Sequence, residues 1–144
     1  MWFSLQGRDS QLPGDFHTGS LQSHILTFET VAQVILLLMI YESKIRGVDL
    51  ELVTCLDNQA AEGILAAGFT QLPVASKIIQ VYHQLSQLSG AVLTPVRTSS
   101  KDNSRADDLS RGVTFHEEPS NQFPLDLLPL LHQWFSAKPT HRRA

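Results

Sequence analysis

The sequence predicts an α/β protein in which helices pack on a small mixed sheet. The segment at positions 48–56 alternates between apolar and polar residues as strands do, and the mostly apolar segment at 91–96 is predicted to be a second strand. Segments with the helical spacing of apolar residues precede, separate and follow these two strands. The chain has 144 residues, of which 42% are hydrophobic and 17% are charged, and these values are typical of one globular domain.

The first 22 residues are predicted to be a loop or a disordered lead-in, because glycine and proline are mixed with polar residues and no period is sustained. A long helix is expected next. Thr27 suits its N-cap position, which would put Glu29 in the first turn, and Gly47 suits its C-terminal end. Apolar residues on most sides of this helix predict that it is buried.

The strand pattern at 48–56 is followed directly by Asp57 and Asn58. Residues 59–67 then form a short helical pattern that Gly68 closes. In α/β proteins the junction between a strand and the next helix often carries ligand-binding side chains. This junction is therefore a candidate functional position.

A second long helix is predicted between Pro73, in its first turn, and Gly90, which ends it. The strand that follows contains Pro95, which favours an edge position or a strand end because proline cannot donate a ladder hydrogen bond. Ser104 then suits the cap of a short helix that carries Asp107.

The tail, residues 113–144, combines four prolines with many large apolar side chains. Two interpretations are open for it. The tail can form a helix that packs against the domain, or its segment 123–135 can bind a protein partner and order on contact.

Composition limits the partners and the compartment. The net charge of -3 gives no overall electrostatic attraction to nucleic acid. The single cysteine, Cys55, excludes an internal disulfide framework and a multi-cysteine zinc site, and its apolar strand predicts a buried core thiol. The apolar run at 31–40 is shorter than the roughly 20 residues that cross a bilayer, and the first residues lack a secretory pattern. We therefore expect no membrane association and an intracellular location, cytoplasmic or nuclear.

Three acidic residues stand at the ends of different predicted elements, namely Glu29, Asp57 and Asp107. Strand ends and helix starts share one rim of an α/β sheet, so these carboxylates can converge. Carboxylate oxygens suit Mg²⁺, and a pair of Mg²⁺ ions stabilises the in-line cleavage of a phosphodiester. Taken singly, Asp57 equally suits a turn or a cap, and Glu29 equally suits the positive end of the helix dipole.

Three motifs carry a resemblance to a known family, and their separations fit it as well. They are Asn103-x-x-Ala106-Asp107-x-Leu109-Ser110-Arg111, His24-Ile25 followed by Phe28-Glu29, and Asp57-Asn58-x-Ala60-Ala61 followed by Gly68-Phe69-Thr70. The segment from His24 to Arg111 resembles the ribonuclease H domain of retroelement reverse transcriptases, especially those of the DIRS-like, tyrosine-recombinase class.

The resemblance implies an incomplete ribonuclease H-like fold over residues 23–112, truncated so that the family's first three strands are missing. It implies that Glu29, Asp57 and Asp107 are catalytic metal ligands, and that the cofactor is Mg²⁺ or Mn²⁺. The implied reaction is metal-dependent cleavage of RNA in RNA–DNA hybrids.

The family's first catalytic aspartate is not found at a matching position. Asp9 and Asp15 are the only candidates, and both lie in the lead-in. Because that residue bridges both metals in the family, we expect the activity of this chain to be very weak or absent.

Six polar side chains near these motifs are candidates for nucleic-acid binding, namely Asn58, Arg97, Lys101, Asn103, Arg105 and Arg111. Two alternatives to an enzyme stay open. The chain can be a non-catalytic remnant that contacts nucleic acid through the basic residues of this set, or an interaction protein whose 123–135 tail docks on a protein partner.

Overall fold

The computed structural model describes residues 2–3, 11–17, 21–43 and 49–136. In these ranges the chain forms five α-helices and a two-stranded parallel sheet, which confirms the α/β class. The elements are α1 (Leu21–Glu42), β1 (Leu50–Leu56), α2 (Gln59–Ala67), α3 (Pro73–Ser89), β2 (Ala91–Arg97), α4 (Ser104–Ser110) and α5 (Leu127–Ser136). Short 3-10 helices lie at Gly14–His17, Ser100–Asn103 and Pro119–Asn121.

The two strands pair along their whole length, from Leu50 opposite Ala91 to Leu56 opposite Arg97. Parallel neighbours need a long crossover connection, and α2 and α3 supply it. A mixed sheet was the expectation. Among the described residues the sheet consists of these two parallel strands. It is not mixed, because no antiparallel strand of the described chain joins either edge.

The core lies between α1 and α3, which pack against each other. Their facing side chains are fully buried, among them Val34, Leu38, Ile78 and Leu85. Removing each such side chain from water stabilises the fold by roughly 1.5–3 kcal/mol. The burial of these side chains therefore stabilises the packing of α1 against α3.

The described part of the lead-in belongs to this core although it has no regular pattern. Leu12 and Phe16 are both buried. The Phe16 ring meets the Phe135 ring edge-to-face at a centroid distance of 5.0 Å, a favourable arrangement for aromatic pairs. Segments far apart in the sequence therefore close one end of the core.

The predicted bounds of the first helix are wrong at both ends. α1 begins at Leu21, so Thr27 is a buried residue inside the helix and not its cap. No glycine or proline lies between Gly19 and Gly47, so nothing local stops the helix from extending towards the N-terminus. α1 ends at Glu42, before the predicted end at Gly47, which itself lies outside the described residues.

The predicted bounds of α2 and α3 are confirmed. α2 ends at Gly68, whose φ of 78° lies in the left-handed region that glycine adopts without strain. α3 begins with Pro73 and ends at Gly90, which has a φ of 74°. The Asn58 side chain accepts a hydrogen bond of 2.8 Å from the backbone N–H of Ala61 and so caps α2.

The two faces of β1 differ as the alternation predicts. Thr54 and Leu56 are buried, whereas Val53 is 70% exposed on the opposite face. Cys55 shares the face of Val53 and is exposed, so the prediction of a buried core thiol is wrong. Apolar character around Cys55 did not decide its burial, because the alternation of the strand places it on the exposed face with Val53 and away from the buried Thr54 and Leu56.

The tail folds back onto the domain as far as it is described. In α5 the side chains of Leu127, Leu128, Leu131 and Phe135 are buried, and the helix packs against α3. Of the two interpretations of the tail, packing against the domain is the arrangement found for these residues. Pro129 is tolerated in α5 because it lies in the first turn.

α1 contains a window, Ile25–Glu42, with a mean hydropathy of 1.7 over 18 residues. By length and composition alone this window could cross a membrane. In this fold 56% of it is buried inside the protein, and core helices meet the same two criteria.

Candidate functional site

The three carboxylates singled out in the sequence line one pocket of about 340 Å³. Glu29 comes from α1, Asp57 from the end of β1 and Asp107 from the first turn of α4. The rest of the wall is formed by Ile25, Phe28, Ala32, Gln33, Cys55, Asn103 and Ala106. Carboxylates up to 78 positions apart in the sequence therefore meet at one end of the sheet.

Local structure explains how the pocket is assembled. β1 ends at Leu56, and the backbone N–H of Thr98, just after β2, donates to the Leu56 carbonyl at 2.8 Å. This bond holds the segment that leads to α4 beside the C-terminal end of β1. Asp107 in α4 is thereby brought to the same rim as Asp57.

Glu29 reaches the pocket from the interior of α1. Because α1 begins at Leu21, Glu29 lies beyond the first turn, and the expectation that it lies in the first turn is wrong. The positive end of the helix dipole acts mainly within that first turn. The dipole therefore does not explain a carboxylate at this position.

Glu29 and Asp57 form a hydrogen-bonded pair of carboxyl groups. Burial, the hydrogen bond with Asp57 and the negative charge of Asp57 together raise the pKa of Glu29 from 4.5 to about 7. Two neighbouring carboxylates repel each other, so one of them keeps a proton. Near pH 7, Glu29 is therefore protonated in part of the molecules. When it is protonated, it can donate the hydrogen bond to Asp57.

Asp107 is held by a different contact. Its Oδ2 accepts from Nη2 of Arg111 at 3.0 Å, one helical turn further along α4. The side chain of Arg111 is 70% exposed, so this ion pair is screened by water and contributes little to stability. It links the pocket carboxylate of Asp107 to Arg111, one of the candidates for nucleic-acid binding.

The donor chemistry fits a hard divalent cation. Glu29, Asp57 and Asp107 offer oxygen atoms, which Mg²⁺ and Mn²⁺ prefer. Among the described residues, however, no three side chains of His, Cys, Asp or Glu are arranged closely enough to hold a metal ion. The Glu29–Asp57 pair is the part of the set that is already together, with Asp107 on the same wall.

The basic candidates for nucleic-acid binding lie on the segment that leads from β2 through α4. Arg97 and Lys101 are exposed, and Nη1 of Arg97 donates to Oε1 of Gln59 at 3.2 Å. Asn103 lines the pocket, whereas Asn58 is engaged in capping α2. Of the six candidates, Asn103 is the one that lines the pocket, and Arg111 contacts a pocket residue through its ion pair with Asp107.

Arg105 is engaged in the strongest ion pair of this segment. Its Nε and Nη2 donate to the two carboxylate oxygens of Glu117 at 2.6 and 2.7 Å, a bidentate arrangement. The Arg105 guanidinium lowers the pKa of Glu117, and Glu117 raises the pKa of Arg105. The contact connects α4 to the loop that precedes α5.

Gln33 and Cys55 are the amide- and thiol-bearing residues of the pocket wall that were not singled out from the sequence as site residues. Gln33 follows Glu29 by four positions on α1, and that spacing places both on one face of a helix. Cys55, near the end of β1, precedes Asp57 by two positions, and the alternation of an extended chain gives the two a common side. Both spacings are readable from the sequence once Glu29 and Asp57 are known to meet.

The candidates for a first catalytic aspartate are not tested by this geometry. Asp9 lies outside the described residues, and Asp15 enters only as part of the 3-10 helix Gly14–His17. Comparison of the chain with protein-family models, with curated proteins and with solved structures gives no match.

Proposed function

We propose that this chain is a ribonuclease H-like domain of retroelement origin with an incomplete fold, whose carboxylate pocket binds Mg²⁺ or Mn²⁺ and whose ligand is an RNA–DNA hybrid. One observation carries the proposal. Glu29, Asp57 and Asp107 were selected by motif from three separate segments, and all three line the same pocket. If the three motif matches were accidental, there would be no reason for their acidic side chains to lie in one pocket.

The raised pKa of Glu29 supports a cation-binding role. Holding two carboxyl groups together is unfavourable for a protein unless a proton or a cation compensates for their repulsion. A divalent cation bound there would stabilise the negative charge that develops on phosphate oxygens during hydrolysis. Glu29 and Asp57 would hold it, and Asp107 would complete the set from α4.

Hydrolysis by the isolated chain is proposed to be very weak or absent. Across the described residues no set of three ligands is close enough to hold the ion, and Asp107 is paired with Arg111. In-line cleavage depends on ligands that are held in place before the substrate binds. The described pocket offers a pair of carboxyl groups and a third at its edge.

A non-catalytic role is the second candidate, and a separate observation favours it. One face of the sheet exposes Val53, Val92 and Val96, which are 70%, 54% and 37% exposed. Exposed apolar clusters of this kind are typical of interaction surfaces. In this alternative the fold serves as a nucleic-acid-binding or protein-interaction module without turnover.

Cation binding is tested by thermal unfolding with and without Mn²⁺ or Mg²⁺. A ligand that binds only the folded state raises its melting temperature. We expect the metal to raise the melting temperature of the wild type and to leave the melting temperature of Asp57→Asn nearly unchanged. Asp49→Asn, which alters an exposed carboxylate outside the pocket, is the matched control and should respond as the wild type does. Equal responses of wild type and Asp57→Asn would exclude the carboxylate site.

Substrate and activity are tested with a labelled RNA–DNA hybrid, with single-stranded RNA and double-stranded DNA as controls. We expect binding that favours the hybrid, with cleavage near the background rate in Mg²⁺. Strong turnover that Asp57→Asn abolishes would show that the pocket is complete and would contradict the weak activity proposed here. Absence of binding to any nucleic acid would instead favour a protein-interaction module.

A further inference from the structure

Gln33 is the most buried polar side chain on the wall of the carboxylate pocket. It is 6% exposed and lies on α1 four residues beyond Glu29. Its Oε1 is buried and has no hydrogen-bond partner among the described residues. A glutamine amide normally uses its oxygen as an acceptor and its nitrogen as a donor.

An unpaired polar atom at this depth needs a physical reason. Most buried polar atoms in folded proteins find a partner, because losing the bonds to water without replacement is costly. The neighbouring Thr30 follows that rule, since its hydroxyl donates to the carbonyl of Leu26 at 2.7 Å. Thr54 is the other residue in the described chain with such an atom, and it does not line the pocket.

The chemistry of the wall indicates what the missing partner is. The amide oxygen is a neutral, hard acceptor, and hard divalent cations accept amide as well as carboxylate oxygens as ligands. The last bond of a glutamine side chain rotates easily, so the oxygen can turn towards the pocket while α1 stays in place. The carboxyl groups of Glu29 and Asp57 supply the negative charge that such a cation requires.

We infer that Gln33 is a further ligand-binding residue of this pocket, which holds a divalent cation through its amide oxygen, directly or through one water molecule. The inference rests on the proposed cation site and adds a ligand that lies outside the motifs of the resemblance. It also explains why a buried polar residue stands at this position in an apolar helix.

The test measures Mn²⁺ binding directly, from the electron paramagnetic resonance signal of free Mn²⁺ during titration of the purified full chain. Gln33→Met removes the amide and keeps the length of the side chain. We expect it to weaken Mn²⁺ binding about three- to tenfold, the size expected for one lost hydrogen bond. The metal-free melting temperature should stay the same or rise, because an unpaired polar group is removed.

Three further variants separate the possible outcomes. Gln80→Met changes an exposed glutamine on α3 and should bind Mn²⁺ as the wild type does. Gln33→Glu, which adds a carboxylate, should bind Mn²⁺ more tightly, and it keeps the inference testable if Gln33→Met fails to fold. Glu29→Gln should lose binding almost completely.

Two results would contradict the inference in distinguishable ways. If Glu29→Gln loses Mn²⁺ while Gln33→Met and Gln33→Glu bind it as the wild type does, the cation site stands and Gln33 has no part in it. If the wild type itself binds no Mn²⁺, or binds it as Glu29→Gln does, the proposed cation site fails and the inference fails with it.

Discussion

Glu29 is the residue whose chemistry departs furthest from that of an isolated side chain. Its carboxyl group is partly buried in the pocket and hydrogen-bonded to that of Asp57, and these contacts raise its pKa from 4.5 to about 7. The proton that it retains near neutral pH is a product of the fold. The pair is therefore the centre of the proposed cation site and a source of pH-dependent stability.

The pKa of Glu29 predicts how stability changes with pH. Its folded pKa of about 7 lies above its ordinary value of 4.5, so the folded state holds a proton that the unfolded state releases between these two values. Stability from this group is complete below about pH 4.5 and is lost as the pH rises through 7. We expect Glu29→Gln to be free of this loss, so its free energy of unfolding should decrease less between about pH 5 and pH 8.

The size of this effect is on the order of 1 to 2 kcal/mol, less than the full pKa shift would give, because the side chain is partly exposed and screened. Urea unfolding of both proteins at a series of pH values measures it. Asp49→Asn is the control for a general charge effect. Parallel pH profiles for wild type and Glu29→Gln would show that Glu29 titrates normally in the folded protein.

At the scale of elements, the crossover between the two strands is determined mostly by local signals. Asn58 caps α2, Gly68 ends it, and Pro73 and Gly90 bound α3. Each of these effects depends on one residue and its immediate neighbours. The crossover is therefore the region in which single substitutions have the most predictable consequences.

Two glycines, one inside α2 and one directly after it, predict opposite effects of the same substitution. Gly63 lies inside the helix, and an added Cβ would meet nothing within 4 Å. Gly63→Ala should stabilise the protein by roughly 0.5–1 kcal/mol, because alanine loses less backbone entropy. Gly68→Ala should destabilise it by about 1–2 kcal/mol, because Gly68 has a φ of +78° that other residues adopt only with strain.

Urea unfolding of the two single variants checks both signs in one experiment. Each variant serves as the control of the other, since the chemical change is identical. Equal effects of the two substitutions would mean that Gly68 does not end α2 in the left-handed conformation.

At the scale of the whole molecule, the domain is closed by segments from both ends of the described chain. Phe16 from the lead-in and Phe135 from α5 meet over α1 and α3. The backbone of Trp2 adds a bond to the tail, since its N–H donates to the Asn121 carbonyl at 3.0 Å. The tail is thus part of the structural domain over the described residues.

This closure predicts a large cost for truncating an apolar side chain of α5. Leu131 is fully buried, so Leu131→Ala should destabilise the protein by about 2–5 kcal/mol through lost burial and the cavity left behind. Leu125→Ala is the matched control. Leu125 is 46% exposed, and its loss should change the free energy of unfolding by no more than about 0.5 kcal/mol.

Chemical unfolding of both variants measures the difference. A comparably small effect of the two substitutions would show that α5 contributes little to the core. In that case, the interpretation of the tail as a partner-binding segment would gain support.

Some features of this protein could be derived from the sequence because their causes are local. The bounds of α2 and α3 follow from a capping side chain, a proline and two glycines, and the two faces of β1 follow from simple alternation. The three carboxylates could be selected by their motifs. That they line one pocket is a property of the assembled chain.

Other features were decided by tertiary structure. The burial of Phe16 and the exposure of Cys55 depend on which surfaces other segments cover. The pKa of Glu29 depends on Asp57, which lies 28 positions away in the sequence. Conformational preference acts over a few residues, whereas burial and charge repulsion act between any groups that the fold brings together, so only the folded chain fixes them.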